Sequence, residues 1–439
     1  MKAYVKIACL LLFFTNFICE AQFQWHSKND KVSIPFELSH NLIIADVMVN
    51  EVELKMILDT GSERNLLFSF PENDTLVFEH AEKVKIKGVG YGEIIYAYLS
   101  KHNSLAIKSL RNDDVEFLLV TDQDISIINK LGMPVNGIVG ADFFKDYLVN
   151  IDYDKRKIVL FRESETALHK IKNKFQSIAV KIIDDRPYIT INAVINKSEV
   201  SLYLLVDSGL GDGLWLFEND SIRCEESFFV DVLGRGLSGE IMGKKSRVKT
   251  LYLNEFEFDG ALVSYPDSIS KTNISLTENR NGSLGGEIMK RFDWFFDYKN
   301  QRFYMKTNSF FNRPFHYNMS GLEIQHNGIQ LIQELTSTEQ EQLLRTPVYV
   351  NEMGPKSYTV KYKLKPVFEI YAVRKDSPAY LAGLNVGDKI ISINGRKAYN
   401  YSIQKITDLF QSEEGKKIKM VIQREGKKME FEFYLEKVL

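Results

Sequence analysis

The sequence has little cysteine, no excess of either charge and no long apolar run beyond its start. Three of its 439 residues are cysteine, and Cys9 and Cys19 fall in the first twenty, so a processed chain would keep Cys224 alone and could form no internal disulfide. Lys and Arg number 56 against 58 Asp and Glu, a net charge of −2, which removes the basic surface that nucleic-acid binding draws on. The seven histidines show no ligand spacing and no nucleophile partner, so neither a metal site nor a serine-type triad is expected. Ten prolines and 26 glycines without a period exclude a collagen-like chain. A 44% hydrophobic share with 26% charged residues is globular composition, at a length of about two or three domains.

What is present begins with an export pattern. Lys2 and Lys6 precede a short apolar stretch at 7–14, continued by Phe17 and Ile18, and Cys19 and Ala21 are small residues three and one positions before a cut. Residues 1–21 therefore read as a signal peptide cleaved after Ala21, predicting a secreted or periplasmic protein. The apolar run is shorter than the roughly 20 residues of a spanning helix, so no membrane span is expected after cleavage. Lipid attachment at Cys19 is the alternative, and the bulky Ile18 before it speaks against it.

The middle of the chain repeats. Leu54-Lys55-Met56-Ile57-Leu58-Asp59-Thr60-Gly61-Ser62 matches Leu202-Tyr203-Leu204-Leu205-Val206-Asp207-Ser208-Gly209-Leu210, an offset of 148 residues. Asn136-Gly137-Ile138-Val139-Gly140 matches Asn281-Gly282-Ser283-Leu284-Gly285, and Asn150-Ile151-Asp152-Tyr153 matches Phe295-Phe296-Asp297-Tyr298, both offset by 145. Between these anchors lie two glycine-rich stretches, Gly88-Val89-Gly90-Tyr91-Gly92 and Gly234-Arg235-Gly236-Leu237-Ser238-Gly239. Short runs rich in Val, Ile, Phe and Tyr, broken by Gly, Asn and Asp, predict hairpins and small closed sheets over 32–161 and 175–305, joined by the charged stretch 162–174.

A carboxylate placed straight after a buried strand needs hydrogen-bond donors nearby. Thr60 and Ser208 offer hydroxyls, and Gly61 and Gly209 expose backbone N–H groups. If the two copies pack about a pseudo-twofold axis, Asp59 and Asp207 face one cleft and hold one proton between them. One member could then take a proton from water while the other donates to a carbonyl oxygen.

On these motifs the chain, over 32–305, resembles the aspartic proteases, specifically two retropepsin-like lobes fused in tandem as in pepsin. The resemblance implies a mainly β fold of two β-barrel lobes, with Asp59 and Asp207 as the catalytic dyad. Thr60, Gly61, Ser62, Ser208 and Gly209 would support it, and Gly88, Gly90, Tyr91, Gly92, Gly234, Gly236 and Leu237 would belong to flaps over the cleft. It implies an aspartic endopeptidase acting on polypeptide, with no metal and no cofactor, and monomeric because one chain carries both acids. A non-catalytic peptide-binding protein using the same cleft is the second reading. Ser62 can hydrogen-bond a carboxylate where its counterpart Leu210 cannot, so the second acid is expected to be the more readily protonated. Asp142 and Glu287 read as acids in the first turn of helices.

The run Asp376-Ser377-Pro378-Ala379 to Ala382-Gly383-Leu384-Asn385-Val386-Gly387-Asp388-Lys389-Ile390-Ile391-Ser392-Ile393-Asn394-Gly395 resembles a PDZ domain, a small α+β fold placed here over 317–437 with an insertion at about 327–363. The resemblance implies a peptide groove edged by the strand 368–373, with Phe368 and Ile370, and walled by a helix carrying Ile403 and Ile406. No glycine-bearing carboxylate loop precedes Phe368 directly; Met319-Ser320-Gly321-Leu322 is the candidate from further back. A short helix is expected over 337–345.

Overall fold

The computed structural model describes residues 22–70, 75–86, 95–120, 135–237, 239–269, 277, 279–337 and 358–439. The export pattern and most of the expected helix at 337–345 lie outside them. The described chain is mainly β. The repeat is also a repeat of topology. In the first copy neighbouring strands run Leu110–Leu119, Asn65–Leu67, Gly137–Val139, Val52–Leu58, Leu42–Val49, Ile95–Ile107; in the second, Leu262–Pro266, Leu214–Leu216, Gly282–Gly285, Ser198–Asp207, Arg186–Ile195, Thr250–Leu253. The senses agree pair by pair. Gly137–Val139 lies parallel to Met56–Leu58 as Gly282–Gly285 does to Leu204–Asp207, and each also runs antiparallel to a short strand on its other side.

Why these segments pair this way is written in their side chains. Met56, Ile57 and Leu58 before Asp59, and Leu204, Leu205 and Val206 before Asp207, are three successive buried residues, the pattern of a strand covered on both faces. One asparagine in each copy pins the register. Asn136 Oδ1 accepts from Lys55 N at 3.0 Å, and Asn281 Oδ1 accepts from Tyr203 N at 2.8 Å.

A third sheet joins the copies, ordered Gln176–Ala179, Arg302–Thr307, Phe292–Asp297, Leu148–Asp152, Lys157–Phe161, Lys31–Pro35, three strands from each side. At its centre Val149 pairs with Phe296 and Ile151 with Trp294, so the repeated Asp-Tyr segments are the seam itself. One apolar cluster runs through both copies and this sheet, from Phe23 to Met305. Burying that much apolar surface in common makes the two copies one folding unit. Asp142 and Glu287 sit in the first turns of the short helices Ala141–Phe144 and Gly286–Met289.

The C-terminal region has its own cluster, including Leu322, Phe368, Ile370, Ile403, Ile406 and Phe410. The described parts of the stretch expected as an insertion, 327–337 and 358–363, continue two long paired strands, Leu322–Ser337 and Tyr358–Val373. This pairing corrects the expected groove. The strand bearing Phe368 and Ile370 is bonded on one side to Leu322–His326 and on the other to Lys389–Ile390, so it has no open edge to receive a peptide. The open edge belongs to Leu322–Ser337, the terminal strand of that sheet. Phe368 and Ile370 are core residues, 2% and 0% exposed.

Candidate active site

Asp59 and Asp207 end equivalent strands, and the loops that follow are locked to each other. Thr60 N donates to Ser208 Oγ at 2.9 Å, and that hydroxyl donates to Leu58 O at 2.8 Å. Reciprocally, Ser208 N donates to Thr60 Oγ1 at 3.0 Å, and Thr60 Oγ1 donates to Val206 O at 2.7 Å. Four hydrogen bonds thus satisfy six polar groups across the seam.

The lock crosses the carboxylates. A Cβ at Gly61 would lie 2.6 Å from Asp207 Oδ1, and one at Gly209 would lie 2.6 Å from Asp59 Oδ1. Only glycine leaves room for each acid to rest on the opposite loop. Each carboxyl lies against the other's loop, and the charge of Asp207 acts on Asp59. Gly61 N and Ser62 N donate to Asp59 Oδ1 at 2.7 and 3.2 Å, and Gly209 N donates to Asp207 Oδ1 at 3.1 Å.

Burial, then the charge of Asp207, pushes Asp59 up from 3.8 to about 8. Burial raises Asp207 as well, and Arg280 opposes that rise. Arg280, two residues before the strand Gly282–Gly285, donates from Nε to Gly282 O at 3.0 Å and from Nη2 to Ser283 Oγ at 2.6 Å. Ser62 Oγ donates to Arg64 O at 2.8 Å and leaves Asp59 to backbone N–H groups, whereas Asp207 has the half-buried Arg280 guanidinium near it. A cation beside one acid, and not the Ser62 hydroxyl, makes the two unequal. Arg280 went unnoticed in the sequence because it lies outside the matched motif; Ser283, where the first copy has Ile138, was the available signal.

Gly234 and Gly236 belong to the strand Phe229–Gly236, paired with Gly239–Arg247 as a hairpin whose turn holds Leu237. Leu233 and Ile241 of this hairpin pack with Trp215 and against Leu210, which follows the second acid loop. Leu237 packs on the first copy's cluster of Leu42, Ile44, Ile57, Leu66 and Phe68. The hairpin thus spans from one acid loop to the other copy. The first copy has a counterpart in Glu82–Ile86 paired with Ile95–Leu99; Gly88, Gly90, Tyr91 and Gly92 lie outside the described residues.

Among the described residues no cluster of His, Cys, Asp or Glu could hold a metal ion. Cys224 is half-buried, and burial pushes its thiol up to about 11.

In the C-terminal region Ser377 caps the short helix Pro378–Leu381 and Ser402 caps Ile403–Phe410, which faces the open-edged strand across a groove. Residues 369–424 match the family model of the PDZ domain. This segment is a PDZ domain. The chain therefore carries a peptide-binding module. A search of curated proteins returned no match to the chain. The matched PDZ segment begins at Glu369, so the strand Leu322–His326 that edges the groove comes from 43 (369 − 326) to 47 (369 − 322) residues upstream in sequence. Ile403 and Ile406, 3% and 1% exposed, fix the PDZ helix to the core and show their edges to the groove. Among the described residues no helix is long and apolar enough to cross a membrane.

Proposed function

We propose that the protein is an exported aspartic endopeptidase in which two lobes of retropepsin type form a cleft for an extended polypeptide, and the PDZ domain holds substrate or partner. The observation that carries this reading is the crossed placement of Asp59 and Asp207, each resting on the other's loop and within reach of the other's charge. Two acids so placed retain one proton between them. In the proposed reaction a water oxygen attacks the peptide carbonyl carbon and gives a proton to the Asp207 carboxylate, while Asp59 gives its proton to the carbonyl oxygen. The resulting neutral diol collapses as Asp207 returns a proton to the leaving nitrogen and Asp59 recovers one from a hydroxyl, so the C–N bond breaks and both acids end as they began. No covalent intermediate forms. The hairpin Phe229–Arg247 serves as roof, excluding bulk water so that the charges act at close range.

The test is hydrolysis of an unfolded protein from acid to neutral pH by the full chain, beside Asp59→Asn and Asp207→Asn. Loss in both variants supports the reading, and activity surviving both refutes it.

A further inference from the structure

A cavity of about 370 Å³ lies where three parts of the chain meet, within the roughly 300–1,000 Å³ of ligand sites. One wall is the PDZ groove, made by the open-edged strand at Leu322–Ile324 and the helix face of Ile403, Ile406 and Phe410. The facing wall is the hairpin over the paired acids, from Phe229 to Arg235. That strand is also terminal in its sheet, so among the described residues two sheet-terminal strands border one cavity.

The hairpin is anchored to the PDZ domain at its base. Phe229 is part of the PDZ apolar cluster, its ring 5.4 Å from that of Tyr317 and 4.1 Å beneath the Arg374 guanidinium. Arg374 Nη1 also meets Asp231 Oδ2 at 3.4 Å. Between this anchor and Leu237 the ladder shifts register at Val232–Gly234, which bends the strand. Beside the anchor Lys245 meets Asp212 at 3.3 Å.

The loop that opens the groove strand is closed to a chain terminus. Met319 N donates to Phe410 O at 3.0 Å, Ser320 N and Gly321 N donate to Asn318 Oδ1 at 3.0 and 3.3 Å, and Leu322 N donates to Ser320 Oγ at 3.0 Å. Every backbone donor from Met319 to Leu322 is engaged inside the protein, so none is left for a terminal carboxylate. The strand edge beyond them can still accept a strand.

From these two features we infer that the groove receives an internal segment of an extended polypeptide, not a C-terminus, and that this segment lies against the hairpin as its outer wall, so that filling the groove steadies the hairpin over the acids. The steadying rests on the proposed protease reading only for its consequence; the binding does not.

The probe is an unstructured synthetic fragment of β-casein, made with a free and with an amidated C-terminus, added to the full chain carrying Asp59→Asn and Asp207→Asn so that nothing is cleaved. Hydrogen exchange should slow about tenfold together in 322–326, 403–410 and 229–247, equally with the amidated fragment, and Thr407→Trp, which fills the groove from its rim, should abolish all three changes. Protection that needs a free C-terminus overturns the inference, as does protection of the PDZ strand without the hairpin, protection of the hairpin that persists in Thr407→Trp, or no protection at all. A wild type that fails to hydrolyse protein would sink the protease reading and leave this result standing.

Discussion

The hydroxyls of Thr60 and Ser208 each serve the other's strand, accepting from a backbone N–H across the seam and donating to a carbonyl just before the opposite acid. The two acid-bearing loops are consequently one object. Thr60→Ala would leave Ser208 N and Val206 O buried without partners, and we expect a loss of about 2–4 kcal/mol in denaturant unfolding. Ser208→Ala should cost about as much, the double variant less than the total of the two, and Thr60→Ser little. An additive pair of losses would contradict the interlock.

The fold favours the protonated form of Asp59, whose carboxyl is raised from 3.8 to about 8. Stability from that preference is fully present below pH 3.8 and is lost as pH rises through about 8. Thermal melts of wild type and Asp59→Asn should therefore converge in acid and separate toward about pH 8, with the variant the more stable there. Identical pH dependence in the two proteins would show that the carboxyl is not raised.

Activity is expected to follow a bell. It should fall above about pH 8 as the shared proton leaves, and fall in acid as Asp207, raised from 3.8 by burial, takes a proton of its own. Arg280→Met removes the cation behind Asp207, so the acid limb of kcat/KM should move to higher pH. Arg280→Lys should restore part of the shift. A limb that stays put in a folded Arg280→Met protein would reduce Arg280 to a packing residue.

Much of this site was legible because the chain contains its own comparison. Asp59 and Asp207, the two Asn-Gly segments and the two Asp-Tyr segments occupy equivalent places because the same strand order is built twice. The pairing of Thr60 with Ser208 was not legible, since a hydroxyl after an acid supports its own carboxylate as readily as a partner's strand. The source of the inequality was not legible for a related reason: Ser62 Oγ donates to Arg64 O, and the charge of Arg280 lies outside the motif. The groove strand was misplaced because sequence shows which residues precede Ser377-Pro378 but not which strand bonds beside them, and its true edge strand is separated from the matched PDZ segment by a long paired excursion.

Phe229 ties the hairpin to the PDZ cluster and is 9% exposed. Phe229→Ala should destabilise by about 3–5 kcal/mol, with the PDZ segment melting ahead of the two repeats in a calorimetric scan. A single transition shifted as a whole would mean that the PDZ domain is held by contacts elsewhere.

The central claim is hydrolysis by the crossed acids, and the most direct measurement is mass spectrometry of an unfolded protein incubated with wild type, Asp59→Asn and Asp207→Asn. The account predicts new peptides from wild type in acid to neutral buffer, and their loss by about 10²–10⁴-fold in each variant while both remain folded. Equal cleavage by either variant, or none by a folded wild type at any pH, would contradict it.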